Sequence, residues 1–247
     1  MRSLDNLNLN EKKIIIFDMD GTLIDSISVW NITDQKLIET LGKQKIELDI
    51  IQQERDTFLE QHQQDDIYLA YCNYLKQKYH FSVNEKEILA LRWNISESYL
   101  KEQVDYKEQA EIVLKELKKR GKILALATVT TQLQLAIYEH INPHIRAKAL
   151  LSETFDFILS KENLNYKKPH PEIYQKIQER FQVSEKECLV FEDSYLGVLA
   201  AKNAGMEVVN VYDRYADLER DKIEVIADYK ITHYGEFLNY LENLYKK

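Results

Sequence analysis

Three short apolar runs, each stopped by oxygen-bearing side chains, constrain this chain more than anything else in it. Ile14-Ile15-Ile16-Phe17 stops at Asp18, Ile123-Leu124-Ala125-Leu126-Ala127 stops at Thr128, and Leu189-Val190-Phe191 stops at Glu192-Asp193. Continuous apolarity without alternation is the pattern of a strand covered on both faces, so a parallel sheet between helical layers is predicted. In open sheets of this kind ligands sit beyond the carboxyl ends of the strands, where these polar groups would lie. Further strands are expected at 157–159, 208–211 and 229–231. Between them, the spacing predicts a helix over 107–120. Ile112, Val113 and Leu117 form its apolar stripe, Lys118, Lys119 and Arg120 lie at its C-terminal dipole, and Gly121 stops it. Pro171 opens a second helix, and Gly205 follows a third that runs from Ser194 to Ala204.

The stretch from Ser26 to Asp105 lies between the first two strands, where a crossover needs only about 10 to 12 residues. It contains one glycine, Gly42, and no proline. Leu37, Ile38 and Leu41, then Ile50, Ile51 and Phe58, then Ile67, Tyr68, Tyr71 and Leu75, then Ile88, Leu91 and Ile95 recur at helical spacing. The surplus therefore reads as an inserted all-helical domain over 26–105, and 1–25 with 106–247 form an α/β core. The tyrosines Tyr68, Tyr71, Tyr74 and Tyr79 are expected to pack in that insert with their hydroxyls in water. Asp25 and Ser26 are expected to cap its first helix.

The hydrophobic fraction of 45% with 30% charged residues is that of a folded globular chain rather than a disordered one. A net charge of −8 argues against binding nucleic acid or anionic lipid. Two cysteines, Cys72 and Cys188, allow neither a disulfide framework nor a cysteine-rich zinc site, and no apolar run approaches the ~20 residues of a membrane span. A cytoplasmic location with no membrane partner is the expectation.

The most informative segment is Phe17-Asp18-Met19-Asp20-Gly21-Thr22-Leu23, in which two carboxylates leave a buried strand two residues apart. Their repulsion calls for a cation, and Mg²⁺, which takes a few protein oxygens plus water and phosphate, is the natural one. Gly21 permits a sharp turn and Thr22 is expected to bond locally. An EF-hand loop is excluded because the glycine comes too early and no twelfth-position Glu follows.

This segment resembles the first motif of the haloacid dehalogenase superfamily, in its phosphatase and phosphomutase branch. Thr128 resembles the second motif, Lys168 in Lys167-Lys168-Pro169-His170-Pro171 the third, and Glu192-Asp193-Ser194 with Gly197 the fourth. The resemblance spans residues 14–206 and implies a Rossmann-like three-layer core with a parallel sheet, plus a helical cap where the insert was found. It implies that Asp18 is a nucleophile and Asp20 a general acid and base. It also implies Mg²⁺ held by Asp18, the Asp20 main-chain carbonyl and Asp193, with Glu192 beside them as a ligand or a support for one. Lys168, the Thr128 hydroxyl and main-chain N–H groups such as that of Val129 would hold the phosphoryl group. Asp20 points to oxygen leaving groups rather than halide. Two departures matter. Val129 and Thr130 stand where many relatives have Asn after the Thr, so a polar contact is expected to be missing. Trp30 occupies the position of a mutase histidine, and no mutase-type cap loop is present, so a hydrolase of a small phosphorylated metabolite is favoured over a sugar phosphomutase or a non-catalytic binding protein. Trp30 would form an apolar wall for the substrate or pack between helices. His170 reads as a loop residue, Cys188 as a buried apolar one. Substrate and oligomeric state are left open by the sequence.

Overall fold

The computed structural model describes residues 1–62 and 66–244. Strands β1 (Ile14–Phe17), β2 (Ile123–Ala127), β3 (Phe157–Leu159), β4 (Cys188–Glu192), β5 (Glu207–Val211) and β6 (Tyr229–Ile231) form one sheet. Its order is β3-β2-β1-β4-β5-β6, and every neighbouring pair is parallel. All four residues of β1 are fully buried, which is why the run shows no polar alternation. Phe17 pairs with Leu126 on one side and Phe191 on the other. That register sets Asp18 level with Ala127 and Glu192, so the polar groups that end the three runs emerge along one edge.

Contacts divide the chain into two units, Met1–Asp25 with Asp105–Lys247, and Ser26–Val104. The described elements of the second unit are helices: α1 (Ile27–Gly42), α2 (Leu48–Gln61), α3 (Ile67–Tyr79) and α4 (Glu85–Glu102). Leu37, Ile38, Ile51, Phe58, Leu75 and Ile88 are among the residues that form its core. Helix α4 starts on a capping box in which Asn84 and Glu87 each accept from the other's backbone N–H. Three expectations for this unit are corrected. Ile50 and Tyr68 point outward, 49% and 46% exposed, because spacing alone locates a stripe to no better than one helical position. The buried tyrosine hydroxyls are not in water: Tyr71 donates to Asp34 at 3.4 Å and Tyr79 to Glu54 at 2.7 Å. Ser26 precedes α1, yet its side chain makes no capping bond, because its own backbone is already helical in conformation.

The first unit carries α5 (Ala110–Lys119), α6 (Gln132–His140), α7 (Pro143–Lys148), α8 (Leu151–Thr154), α9 (Glu172–Phe181), α10 (Tyr195–Asn203), α11 (Arg220–Ile226) and α12 (Tyr234–Asn243). Ile14, Ile16, Ala125, Val190 and Val208 face α9, α10 and α11 through Ile173, Tyr174, Ile177, Val198 and Ile223. Phe191 turns the other way and meets Phe237 and Tyr234 of α12, ring centroids 4.9 and 6.2 Å apart, and α12 packs beside α5 on that face. The result is three layers, helix, sheet, helix. Helix α5 begins at Ala110 rather than 107 because Gln109 is left-handed, and Ile112 lies on its outer side. Gly121 has φ +71° after its end. Among the described residues no helix is long and apolar enough to cross a membrane.

Candidate active site

Asp18 leaves β1 with its N–H bonded to the Phe191 carbonyl at 3.0 Å, and it is 7% exposed. The chain then turns at Gly21, whose φ is +80°, and a Cβ there would lie 2.4 Å from Asp193 Oδ2. Both the backbone angle and the close approach of the carboxylate require glycine. Thr22 does not bond locally, as its short side chain in a turn suggests; its hydroxyl donates to Asp193 Oδ1 at 2.7 Å, which ties the first and fourth motifs together.

Lys168 brings in the third. Its Nζ lies 2.6 Å from Asp18 Oδ1, 2.5 Å from Glu192 Oε1 and 3.2 Å from the Ala127 carbonyl, so all three ammonium protons have acceptors. Glu192 is fully enclosed. Its Oε1 also accepts from the Tyr174 hydroxyl at 3.0 Å, and Oε2 accepts from the N–H of Asp193 and of Ser194 at 3.1 and 3.3 Å. Gly197 makes room for it, since a Cβ at that position would stand 1.9 Å from Glu192 Oε1. Helix α10 is capped by the Ser194 hydroxyl, which accepts from Gly197 N–H. From β5, Asn210 donates to the carbonyls of Glu192 and Asp193 and fixes the loop that carries them.

Asp18, Glu192 and Asp193 each present an oxygen within 4.8 Å of the others, all three buried. Lys168 is the cation bonded to Asp18 and Glu192 among the described residues. Burial pushes the Asp18 carboxyl up to about 8, opposed by Lys168 and reinforced by the charges of Glu192 and Asp20. Asp193 is pushed well above the carboxylate range by burial first, then by Glu192 and Asp18. Burial pulls Lys168 down, but Asp18 and Glu192 outweigh it and hold the ammonium well above its usual value. Three desolvated carboxyl groups against one ammonium cannot all ionise unless further positive charge is supplied, which is why burial and mutual repulsion favour the protonated forms of Asp18 and Asp193. Asp18 Oδ2 and Asp193 Oδ2 accept no hydrogen bond among the described residues. Hard carboxylate oxygens left over in this way suit a small divalent cation such as Mg²⁺.

At the exit of β2, Thr128 is buried and its Oγ1 accepts from Thr130 N–H at 3.0 Å, which leaves its own O–H to donate elsewhere. Val129 is 45% exposed. One residue later, Thr130 does make a polar side-chain contact: its Oγ1 donates to Asp20 Oδ2. Asp20 itself is half-buried. In the helical unit, Trp30 is half-buried with the Arg92 guanidinium 5.0 Å from its ring centroid. His170 stacks on Tyr166 in the loop after Lys168, and Cys188 is buried with its thiol pushed up to about 11 by desolvation. Sequence reasoning missed Tyr174, Asn210 and the role of Thr130. Only Thr130 left a signal, a second hydroxyl two residues beyond Thr128.

A family model described as Haloacid dehalogenase-like hydrolase matches residues 15–211. The chain is similar to a glyceraldehyde 3-phosphate phosphatase of Pyrococcus furiosus, 27% identical over 237 residues that cover 93% of each chain. It is also similar to a phosphorylated carbohydrates phosphatase of Thermotoga maritima, 30% identical over 230 residues, 89% of this chain and 96% of that one. Among solved structures, a putative beta-phosphoglucomutase from Thermotoga maritima superposes with a TM-score of 0.72 at 24% identity, over 94% of this chain and 99% of that one. Likeness at that identity speaks for the fold alone.

Proposed function

The chain belongs to the haloacid dehalogenase-like hydrolases and is a phosphoric monoester hydrolase; from that premise we propose a Mg²⁺-dependent phosphatase that acts on a small phosphorylated sugar through a phosphate ester on Asp18. The observation that carries this reading is the buried, unbalanced cluster at the strand ends, in which Asp18 is aimed by Lys168. Asp18 attacks phosphorus. Lys168 draws charge from the Asp18 carboxylate and from the phosphoryl oxygens, the electrostatic work on which phosphoryl transfer mostly depends. The Thr128 hydroxyl and the N–H groups of Met19 and Val129 orient the oxygens that are not transferred. Asp20 gives a proton to the leaving oxygen, then takes one from the water that hydrolyses the ester on Asp18. Mg²⁺, when held by the Asp18 and Asp193 carboxylates and the Asp20 carbonyl, supplies positive charge to this centre. Glu192, with both oxygens engaged, supports Lys168 rather than binding metal.

The inserted helical unit is proposed as a cap that selects the substrate, with Trp30 its candidate contact. A phosphomutase is the second reading; it rests on fold likeness, whereas both sequence relatives named above are phosphatases. Acid-quenched turnover with p-nitrophenyl phosphate, followed by peptide mass analysis, tests the proposal. Phosphate is expected on the peptide that contains Asp18, absent in Asp18→Asn. Steady phosphate release with no such adduct, or undiminished release by Asp18→Asn, overturns it.

A further inference from the structure

Thr128 and Thr130 stand two residues apart just after β2, and only the first has a role in the proposed mechanism. The second, Thr130, is 5% exposed and held from both ends: its N–H bonds to Thr128 Oγ1 at 3.0 Å and its carbonyl accepts from Lys161 N–H at 3.1 Å. Its side chain is β-branched and therefore stiff at χ1. The hydroxyl donates to Asp20 Oδ2, across from the exit of one parallel strand to the exit of its neighbour. Asp20 lies in the turn after β1, half-buried, on a side chain that can rotate about two torsions.

We propose that Thr130 is a positioning residue that fixes which oxygen of Asp20 carries the transferable proton. An ionised carboxylate only accepts, so the Thr130 proton points at Oδ2. With the proton of Asp20 on Oδ1, Oδ2 keeps accepting from Thr130 unchanged; a proton on Oδ2 would require the hydroxyl to turn round and accept instead, giving up its donation to the carboxyl group. Oδ1 is thus the proton carrier in both half-reactions. In the first, the ester oxygen takes the proton from Oδ1 as its bond to phosphorus breaks and the Asp18–phosphorus bond forms. In the second, water gives a proton to Oδ1 as its oxygen bonds to phosphorus and the Asp18–phosphorus bond breaks. Through Thr130, the residue that orients the phosphoryl group and the residue that moves the proton are held in one bonded chain: Thr128 to Thr130 to Asp20. This inference rests on the assignment of Asp20 to proton transfer.

The test is rapid-quench kinetics on the full-length, Mg²⁺-loaded protein, with p-nitrophenyl phosphate and glycerol phosphate. An aryl ester leaves without help from a proton and an alkyl ester does not. In Thr130→Val, Asp18 phosphorylation by the alkyl ester should slow about tenfold, a fraction of the roughly 10²–10⁴ that a placed acid contributes. Phosphorylation by the aryl ester should stay within about twofold, as should inhibition by inorganic phosphate. Thr130→Ser, which keeps the hydroxyl, should recover most of the alkyl rate. Introduced into Asp20→Ala, Thr130→Val should cost nothing further. Equal slowing with both esters, or the same further loss in the Asp20→Ala background, assigns Thr130 a merely structural part and overturns the inference. Wild-type alkyl rates in Asp20→Ala sink the assignment of Asp20 instead, and this inference with it.

Discussion

Two buried clusters of charge among the described residues differ in how far their charges are matched. At the strand ends, Asp18, Glu192 and Asp193 confront Lys168. In the helical unit, the fully buried Asp34 is gripped by Arg92 through Nε at 2.6 Å and Nη2 at 3.3 Å, with Arg55 Nη1 at 3.6 Å and the Tyr71 hydroxyl at 3.4 Å. Asp56 lies 3.5 Å from Arg55 Nε, so both guanidinium groups of the helical cluster face a carboxylate of their own unit. Burial works against the Arg92 charge, yet Asp34 holds the guanidinium above its usual value. In the first cluster the same physics runs the other way, and burial with like-charge neighbours pushes Asp18 up to about 8. A buried ion pair stabilises a fold only when its partners close it. The open cluster is the one that awaits something from outside.

One substitution made in both places breaks or sharpens that contrast. Asp18→Asn should lower turnover on the order of 10⁴-fold or more, while the metal-free protein loses no stability, since at neutral pH the Asp18 carboxyl, ionised when unfolded, must take up a proton on burial and so costs the fold rather than supports it. Asp34→Asn should do the opposite. It leaves the buried Arg92 guanidinium without its carboxylate and Arg55 with Asp56 alone, and should destabilise the protein by about 3–5 kcal/mol in urea unfolding. A loss below about 1 kcal/mol would place the helical cluster with the open one.

A smaller effect is expected from Gly197→Ala, whose new methyl meets Glu192 Oε1. Glu192 cannot withdraw without releasing Lys168 and Tyr174, so a loss of about 1–3 kcal/mol is expected, with phosphate release reduced alongside. Retention of both would mean that Glu192 is not held as described. The smallest effect comes from Glu172, lowered to about 2 by Lys176 and then by the N–H groups of Tyr166 and Asn165, in the loop that presents Lys168. A carboxyl lowered in the folded state contributes stability above its unfolded value near 4.5 and loses it as pH falls toward about 2. Acid titration of stability should therefore be shallower in Glu172→Gln than in the wild type over that window.

What the sequence revealed was whatever is local. Each fully buried strand announced itself as an unbroken apolar run, and Asp18, Thr128 and Glu192-Asp193 stand directly after such runs. Thr22, Tyr174 and Asn210 were illegible for the opposite reason. Thr22 meets Asp193 across 171 positions of sequence, and Asn210 reaches the Glu192 carbonyl from a neighbouring strand. Such pairings are made by strand order and register, which periodicity does not encode. The outward faces of Ile50 and Tyr68 escaped because a helix that is apolar on more than one side does not declare which side is covered.

Titration of metal-free protein with Mg²⁺, followed by thermal unfolding and by phosphate release on the same samples, addresses the open cluster most directly. The wild type should gain stability and activity together, about 2.7 kcal/mol at a hundredfold excess over the dissociation constant. Asp193→Asn should show neither gain at that concentration. Full phosphate release in the presence of EDTA, or a stability that does not respond to Mg²⁺, would contradict the account.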